Sequence, residues 1–160
     1  MKTKTPMKAQ GLSMHAICKY MMEEGYNPDF EYSHIQFNLD GNIAVVDADE
    51  GFVSLRIFFS IDKDEYDIFL EASNLTMIKT YAIKPAIMED KENIVFSNEF
   101  FCENLRDLSR FFPRAIETMR DALETHKIEM RKIVMTKNAL SKAIPATDES
   151  VTGIVKKIFS

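Results

Sequence analysis

The stretch FNLDGNIAVVDADEGFVSLRIFF, residues 37–59, decides how this chain folds. Asp40-Gly41 is the kind of pair a tight primed hairpin turn requires, because both central positions of that turn need a positive φ. Before it, Ile35, Phe37 and Leu39 alternate with polar neighbours, and after it Ile43 to Val46 is apolar and rich in β-branched residues. Ala48-Asp49-Glu50-Gly51 makes a second turn, which feeds Phe52 to Phe59. There Val53, Leu55, Ile57 and Phe59 share one face while Ser54, Arg56 and Phe58 occupy the other, the period of two that side chains follow along a strand. The stretch predicts a three-stranded antiparallel meander.

Four acids in the same stretch (Asp40, Asp47, Asp49, Glu50) raise a metal loop as the competing reading. A calcium EF-hand loop needs glycine at its sixth position and a bidentate glutamate at its twelfth. Counted from Asp47, glycine comes fifth and the twelfth residue is Phe58. The acids therefore read as hydrated turn residues.

Working outward, Met14, Ile17, Cys18 and Met21 fall at i, i+3, i+4 and i+7, one face of a helix over about Leu12 to Glu24 that Gly25 can cap. Tyr26-Asn27-Pro28 ends it, since the residue before a proline avoids helical angles. On the other side, acids from Asp62 to Asp67 suit the positive end of a helix dipole, and Tyr66, Phe69, Leu70, Ser73 and Met77 continue a second helix over about Asp64 to Lys79. Tyr81 to Met88 and Ile94 to Phe96, separated by a polar turn, read as a hairpin, with Pro85 on an edge strand because it cannot donate to a ladder.

From Asn104 the pattern is long and helical: Leu105, Leu108, Phe112, Ile116, Met119, Leu123, His126, Met130 and Ile133 are spaced by three or four residues throughout. Pro113 predicts a kink or a break, because it removes a hydrogen bond and clashes with the preceding turn. From Ile116 onward the spacing is heptad-like, which predicts a homodimer seam or a seat for the chain's own tail. Residues 136–148 read as a linker broken by Pro145, before a short helix with Val151, Ile154, Val155 and Ile158 on one face.

The element order is α-β-β-β-α-β-β-α with an extra C-terminal helix. This is an α+β fold: an antiparallel sheet of about five strands, meander plus hairpin, packed by helices. The expected organisation is a flexible N-terminus over residues 1–10, one domain over 11–135, and a linker with a short helix over 136–160. With 160 residues and 46% hydrophobic content, the chain can bury one real core but not two of ordinary size.

Composition narrows function mostly by exclusion. Cys18 and Cys102 lie far apart and no hydrophobic run follows the basic N-terminus, so a cytoplasmic protein without disulfides is expected. No apolar run reaches the roughly 20 residues of a spanning helix, so no membrane role is expected. The net charge of −5 is unevenly spread: residues 23–103 carry 18 acids against five bases, while both flanks are basic. That acidic middle repels phosphate backbones, and no basic stripe interleaved with aromatics marks a nucleic-acid surface. It suits a basic partner.

Chemical motifs are sparse. His15 and Cys18, at i and i+3, are two potential zinc ligands without a second pair, and Cys18 sits on the apolar stripe. His126 holds a core position of the heptad-like seam, and His34 precedes a strand with no partner nearby in sequence. Neither a nucleophile elbow nor a phosphate-cradling loop occurs, and five unpaired glycines cannot build one. No catalytic residue, cofactor or metal is assigned. Ten Met and 12 Phe with no Trp make an adaptable apolar inventory that serves either a core or a binding surface.

The segments EEGY (Glu23 to Tyr26), IQFNLDGN (Ile35 to Asn42), FFSID (Phe58 to Asp62) and FFPRAIETM (Phe111 to Met119) resemble the bacterial sensory transduction regulator (YbjN-like) family of the secretion-chaperone-like fold, over roughly residues 12–125. The resemblance implies a non-enzymatic protein that binds other polypeptides, often as a dimer, with no catalytic residues to carry over. The expected function is a chaperone-like module or regulatory adaptor that takes a polypeptide partner through apolar surface with an acidic rim. Its expected contact residues are Met21, Phe52, Phe58, Phe112, Met119 and Leu123. The alternative is a small enzyme or ligand-binding domain with a pocket between the sheet and the first helix, using His15, Cys18 or the acids.

Overall fold

The structure, a computed structural model, describes residues 12–143. The first helix, α1 (Met14–Glu23), starts where the Ser13 hydroxyl accepts from the Ala16 amide and stops at Gly25, whose φ of 82° reverses the chain. Six strands follow in one antiparallel sheet: β1 (Asp29–Glu31), β2 (His34–Leu39), β3 (Asn42–Asp49), β4 (Phe52–Ser60), β5 (Lys84–Ile87) and β6 (Asn93–Phe101). A short 3-10 turn (Lys63–Glu65) leads into α2 (Tyr66–Lys79) between β4 and β5, and α3 (Leu105–Ala143) closes the described chain.

The meander forms as its turns dictate. Asp40 and Gly41 have φ of 52° and 87°, and Glu50 and Gly51 have 45° and 87°, so both turns carry the two positive φ values of the primed hairpin. The spatial order is β1-β2-β3-β4-β6-β5, which puts β6 beside β4 and leaves β5 with Pro85 at the edge. Reaching that edge takes the chain through α2. The α+β class holds, with six strands where about five are expected. The extra strand is β1, three exposed residues after buried Pro28 that pair Phe30 with Ile35. Neither alternation nor hydrophobicity marks so short an edge.

The core lies on one face of the sheet. Ile35, Phe37, Val46, Val53, Leu55, Ile57, Ile94 and Phe96 point into it and meet Ile17 and Met21 of α1 and Leu108, Phe112, Ile116 and Met119 of α3. Phe112 is the hub of an aromatic cluster, with ring centroids 5.3 Å from Tyr26, 6.1 Å from Phe37 and 6.2 Å from Tyr20. Asn98, the polar residue on the inner side of β6, is satisfied by donating to the Thr118 hydroxyl at 3.0 Å.

The third helix departs from expectation at both marked points. It runs unbroken through Pro113. An interior proline costs about 3 kcal/mol, while burial of Leu108, Phe112 and Ile116 stabilises the continuous form by about 1.5–3 kcal/mol for each side chain. Packing wins. The helix also continues to Ala143, across residues 136–143 that read as linker, because extending an existing helix is far easier than nucleating one. Its heptad-like seam is filled within the chain: Ile116, Met119 and Ile133 are buried, and His126 sits against Phe96 of the sheet and Phe69 of α2. The chain's own sheet and α2 therefore cover these positions of the seam. The short helix expected around Val151 to Ile158 and the N-terminal tail lie outside the described residues.

Candidate functional site

The strand register writes the opposite face of the sheet as rows of side chains. One row runs Phe58, Val95, Ala86, with Ile43 one position beyond the Ala44–Ile57 pair and so alongside Phe58. The next runs Val45, Arg56, Ser97, Lys84, and the third Asp47, Ser54, Glu99. The fourth is Asp49, Phe52, Phe101. No helix among the described residues covers these rows, because all three pack on the core face. Phe52 and Phe58 are each about 45% exposed, Ile43 64% and Phe101 69%.

The last two rows enclose a depression of about 360 Å³, lined by Asp47, Asp49, Glu50, Phe52, Ser54, Arg56 and Glu99. Phe52 forms one wall, its ring backed by Phe101 with centroids 4.2 Å apart. Arg56 Nη1 donates to Asp47 Oδ2 at 3.3 Å, and Lys84 Nζ reaches Glu99 Oε2 at the same distance. Ser54 is only 7% exposed although it stands on the open face, and its Oγ has no hydrogen-bond partner. Leaving a buried hydroxyl unpaired costs about 1–3 kcal/mol.

His34 lies one position beyond the Ile35–Val46 pair, so it begins the row that continues through Asp47 and Ser54. Histidine, aspartate and serine thus share a row, but nucleophilic catalysis requires the imidazole between the other two. Here the aspartate is central, and His34 Nε2 accepts from Gln36 Nε2 at 2.8 Å instead.

A second hollow, of about 210 Å³, lies between the core face and the later helices, lined chiefly by Phe59, Phe69, Phe96, Leu123, His126 and Met130. His126 Nε2 is 3.4 Å from the Ser73 hydroxyl, and the ring stands edge-on to Phe96 at 5.0 Å. Burial pushes its pKa below the ordinary histidine value, against a smaller upward pull from a backbone hydrogen bond with Phe69. Burial likewise raises the Cys102 thiol to about 11 and the Tyr20 hydroxyl to about 12. These groups stay neutral at ordinary pH.

The six expected contact residues separate cleanly. Met21, Phe112 and Met119 are fully buried in the core, and Leu123 is partly buried against it. Their helical spacing marks the inward stripe: Met21, Phe112 and Met119 have no exposed surface, while Leu123 keeps some and lines the hollow beside His126. Phe52 and Phe58 stand on the open face. His15 is exposed with its ring 5.1 Å from Phe30, while Cys18 points into the core, so the two do not converge. Among the described residues no group of three His, Cys, Asp or Glu side chains is placed to hold a metal ion, and no helix is long and apolar enough to cross a membrane. Glu99 and Phe101 escaped the sequence reading because the β4–β6 pairing joins segments about 45 residues apart, and only that pairing brings them beside Ser54 and Phe52.

No family model matches the chain, and no curated protein matches it. Solved structures share its fold, two of them as follows. YbjN from E. coli, a candidate transcription regulator, superposes with a TM-score of 0.57 at 10% identity, over 69% of this chain and 88% of that one. An uncharacterized protein from Methanothermobacter thermautotrophicus gives 0.54 at 12% identity, over 76% and 99%. The chain has a YbjN-like fold.

Proposed function

We propose that this protein is a non-enzymatic binding module, chaperone-like or a regulatory adaptor, which takes a polypeptide segment with basic residues on the helix-free face of its sheet. The observation that carries this is the open face itself, where Phe52, Phe58, Phe101 and Ile43 stay exposed beside Asp47, Asp49, Glu50 and Glu99. Two exposed apolar rows with charged rows between them offer a partner both apolar contact and charge. Charge decides which occupant fits. A second copy presenting the same face would bring carboxylates against carboxylates, whereas a basic segment is drawn in and oriented. The fold's likeness to a candidate regulator agrees with a binding role without naming a partner. The ligand-domain alternative draws no support from the space between the sheet and α1, where His15 and Cys18 do not converge.

The test places a photo-crosslinking amino acid at Phe58, at Phe101 or at the exposed Glu117 of α3, in the full chain inside its host cells. Adducts with other polypeptides should form from positions 58 and 101, not from 117, and should disappear when Asp49→Lys and Glu99→Lys are added. Adducts that form equally from 117, or that contain only two copies of this chain, would overturn the reading.

A further inference from the structure

We infer that the depression around Ser54 is a receptor for a guanidinium, the side chain of an arginine carried by the bound segment. This deepens the binding reading above and rests on it. The acids alone would not carry the assignment, since carboxylates cluster on many solvated surfaces. The independent observation is Ser54, more than nine-tenths buried within the depression and with no hydrogen-bond partner for its Oγ. Asp47 and Glu99 flank it one strand to either side, and the hydroxyl and both carboxylates can accept hydrogen bonds.

Of the acids that line the depression, Asp47 is opposed by Arg56 and Glu99 by Lys84. Asp49, on the rim, has no ion-pair partner among the described residues. Arg56 already shows that a guanidinium sits against these carboxylates, with its Nη1 3.3 Å from Asp47 Oδ2.

The aromatic wall selects among cations. Phe52 is held by Phe101 behind it, so its ring offers a firm face for a flat cation to stack on. A guanidinium is planar, weakly hydrated and carries five donors in a fixed fork, matching a wall of one ring and a floor of several separated acceptors. A lysine ammonium is a compact, strongly hydrated charge that uses the ring less. A metal ion would need three converging ligands, which these residues do not supply.

The experiment uses the full chain labelled with nitrogen-15 and three probes: N-acetyl-arginine methylamide, its neutral citrulline analogue, and the lysine counterpart, all at one ionic strength. The arginine probe should shift the amides of Asp49, Phe52, Ser54 and Glu99 saturably, with the citrulline and lysine probes at least about tenfold weaker. Asp49→Asn with Glu99→Gln should abolish the shifts. Ser54→Ala, which removes only a hydroxyl without a hydrogen-bond partner, should weaken them about threefold or more. Equal shifts from the citrulline or lysine probe, or no shifts at these amides, would overturn the inference. If adducts from positions 58 and 101 persist in that case, only the guanidinium receptor has failed; if they are lost too, the binding reading has failed with it.

Discussion

The two faces of one sheet, built from alternating residues of the same strands, have opposite fates. On the core face Val53, Leu55, Ile57, Ile94 and Phe96 are sealed beneath three helices. One residue along, Phe52, Phe58 and Phe101 are left in the open with carboxylates at their side. Hydrophobicity does not distinguish them, since phenylalanine lies on both. What differs is whether a described helix covers the face. The core face is committed to stability, and the open face is free to carry binding at little cost to the fold.

The sharpest way to break that contrast is at the hub of the core. Phe112→Ala should destabilise the protein by about 3–5 kcal/mol in urea titration, because truncating a fully buried ring leaves a cavity among its aromatic partners. A loss under about 1 kcal/mol would show that the core is not organised around this ring.

Gly51→Ala probes the turn that delivers Phe52 and Asp49 to the open face. No atom lies within 4 Å of an added Cβ, so the cost comes from the backbone φ of 87° alone. It should be about 1–2 kcal/mol, measurable as a lower urea midpoint.

His126 tests the junction between the core face and the later helices. Its folded pKa lies below the unfolded value, so at acid pH the unfolded chain binds a proton that the folded chain resists. Stability should therefore fall as pH drops through the unfolded value of about 6.5, with a slope of up to about 1.4 kcal/mol per pH unit, and level off below the folded pKa. His126→Gln should flatten that stretch of a urea-midpoint profile measured from pH 8 to 5 (about the range in which an ordinary histidine titrates). An unchanged slope would assign the pH response to another group.

The smallest stability effect is expected on the open face. Phe58→Ser, about half exposed with no helix above it, should change stability by less than about 0.5 kcal/mol while removing crosslinked adducts formed from position 101. A loss as large as that of Phe112→Ala would erase the distinction between the faces.

Much of this architecture is legible in the chain because it depends on neighbours in sequence. The meander follows from Asp40-Gly41 and Glu50-Gly51 and from strict alternation in β4, and the edge position of β5 follows from Pro85. The same local reasoning fails where distant contacts set the outcome. Pro113 is a stop signal overridden by buried neighbours, and the polar run after Met135 stays helical because it extends a helix already formed. Met21 and Met119 share their spacing with surface stripes elsewhere, and nothing local says that a sheet will cover them.

The candidate site divides in the same way. By itself the sequence determined that Phe52, Ser54, Arg56 and Phe58 share one face of a strand opposite Val53 and Phe59, because side-chain direction follows backbone period. Only the tertiary structure decided that no described helix covers this face and that Glu99 and Phe101 complete the depression around Ser54. Pairing across a chain reversal depends on which surfaces the whole molecule can bury together, and no local pattern encodes that choice.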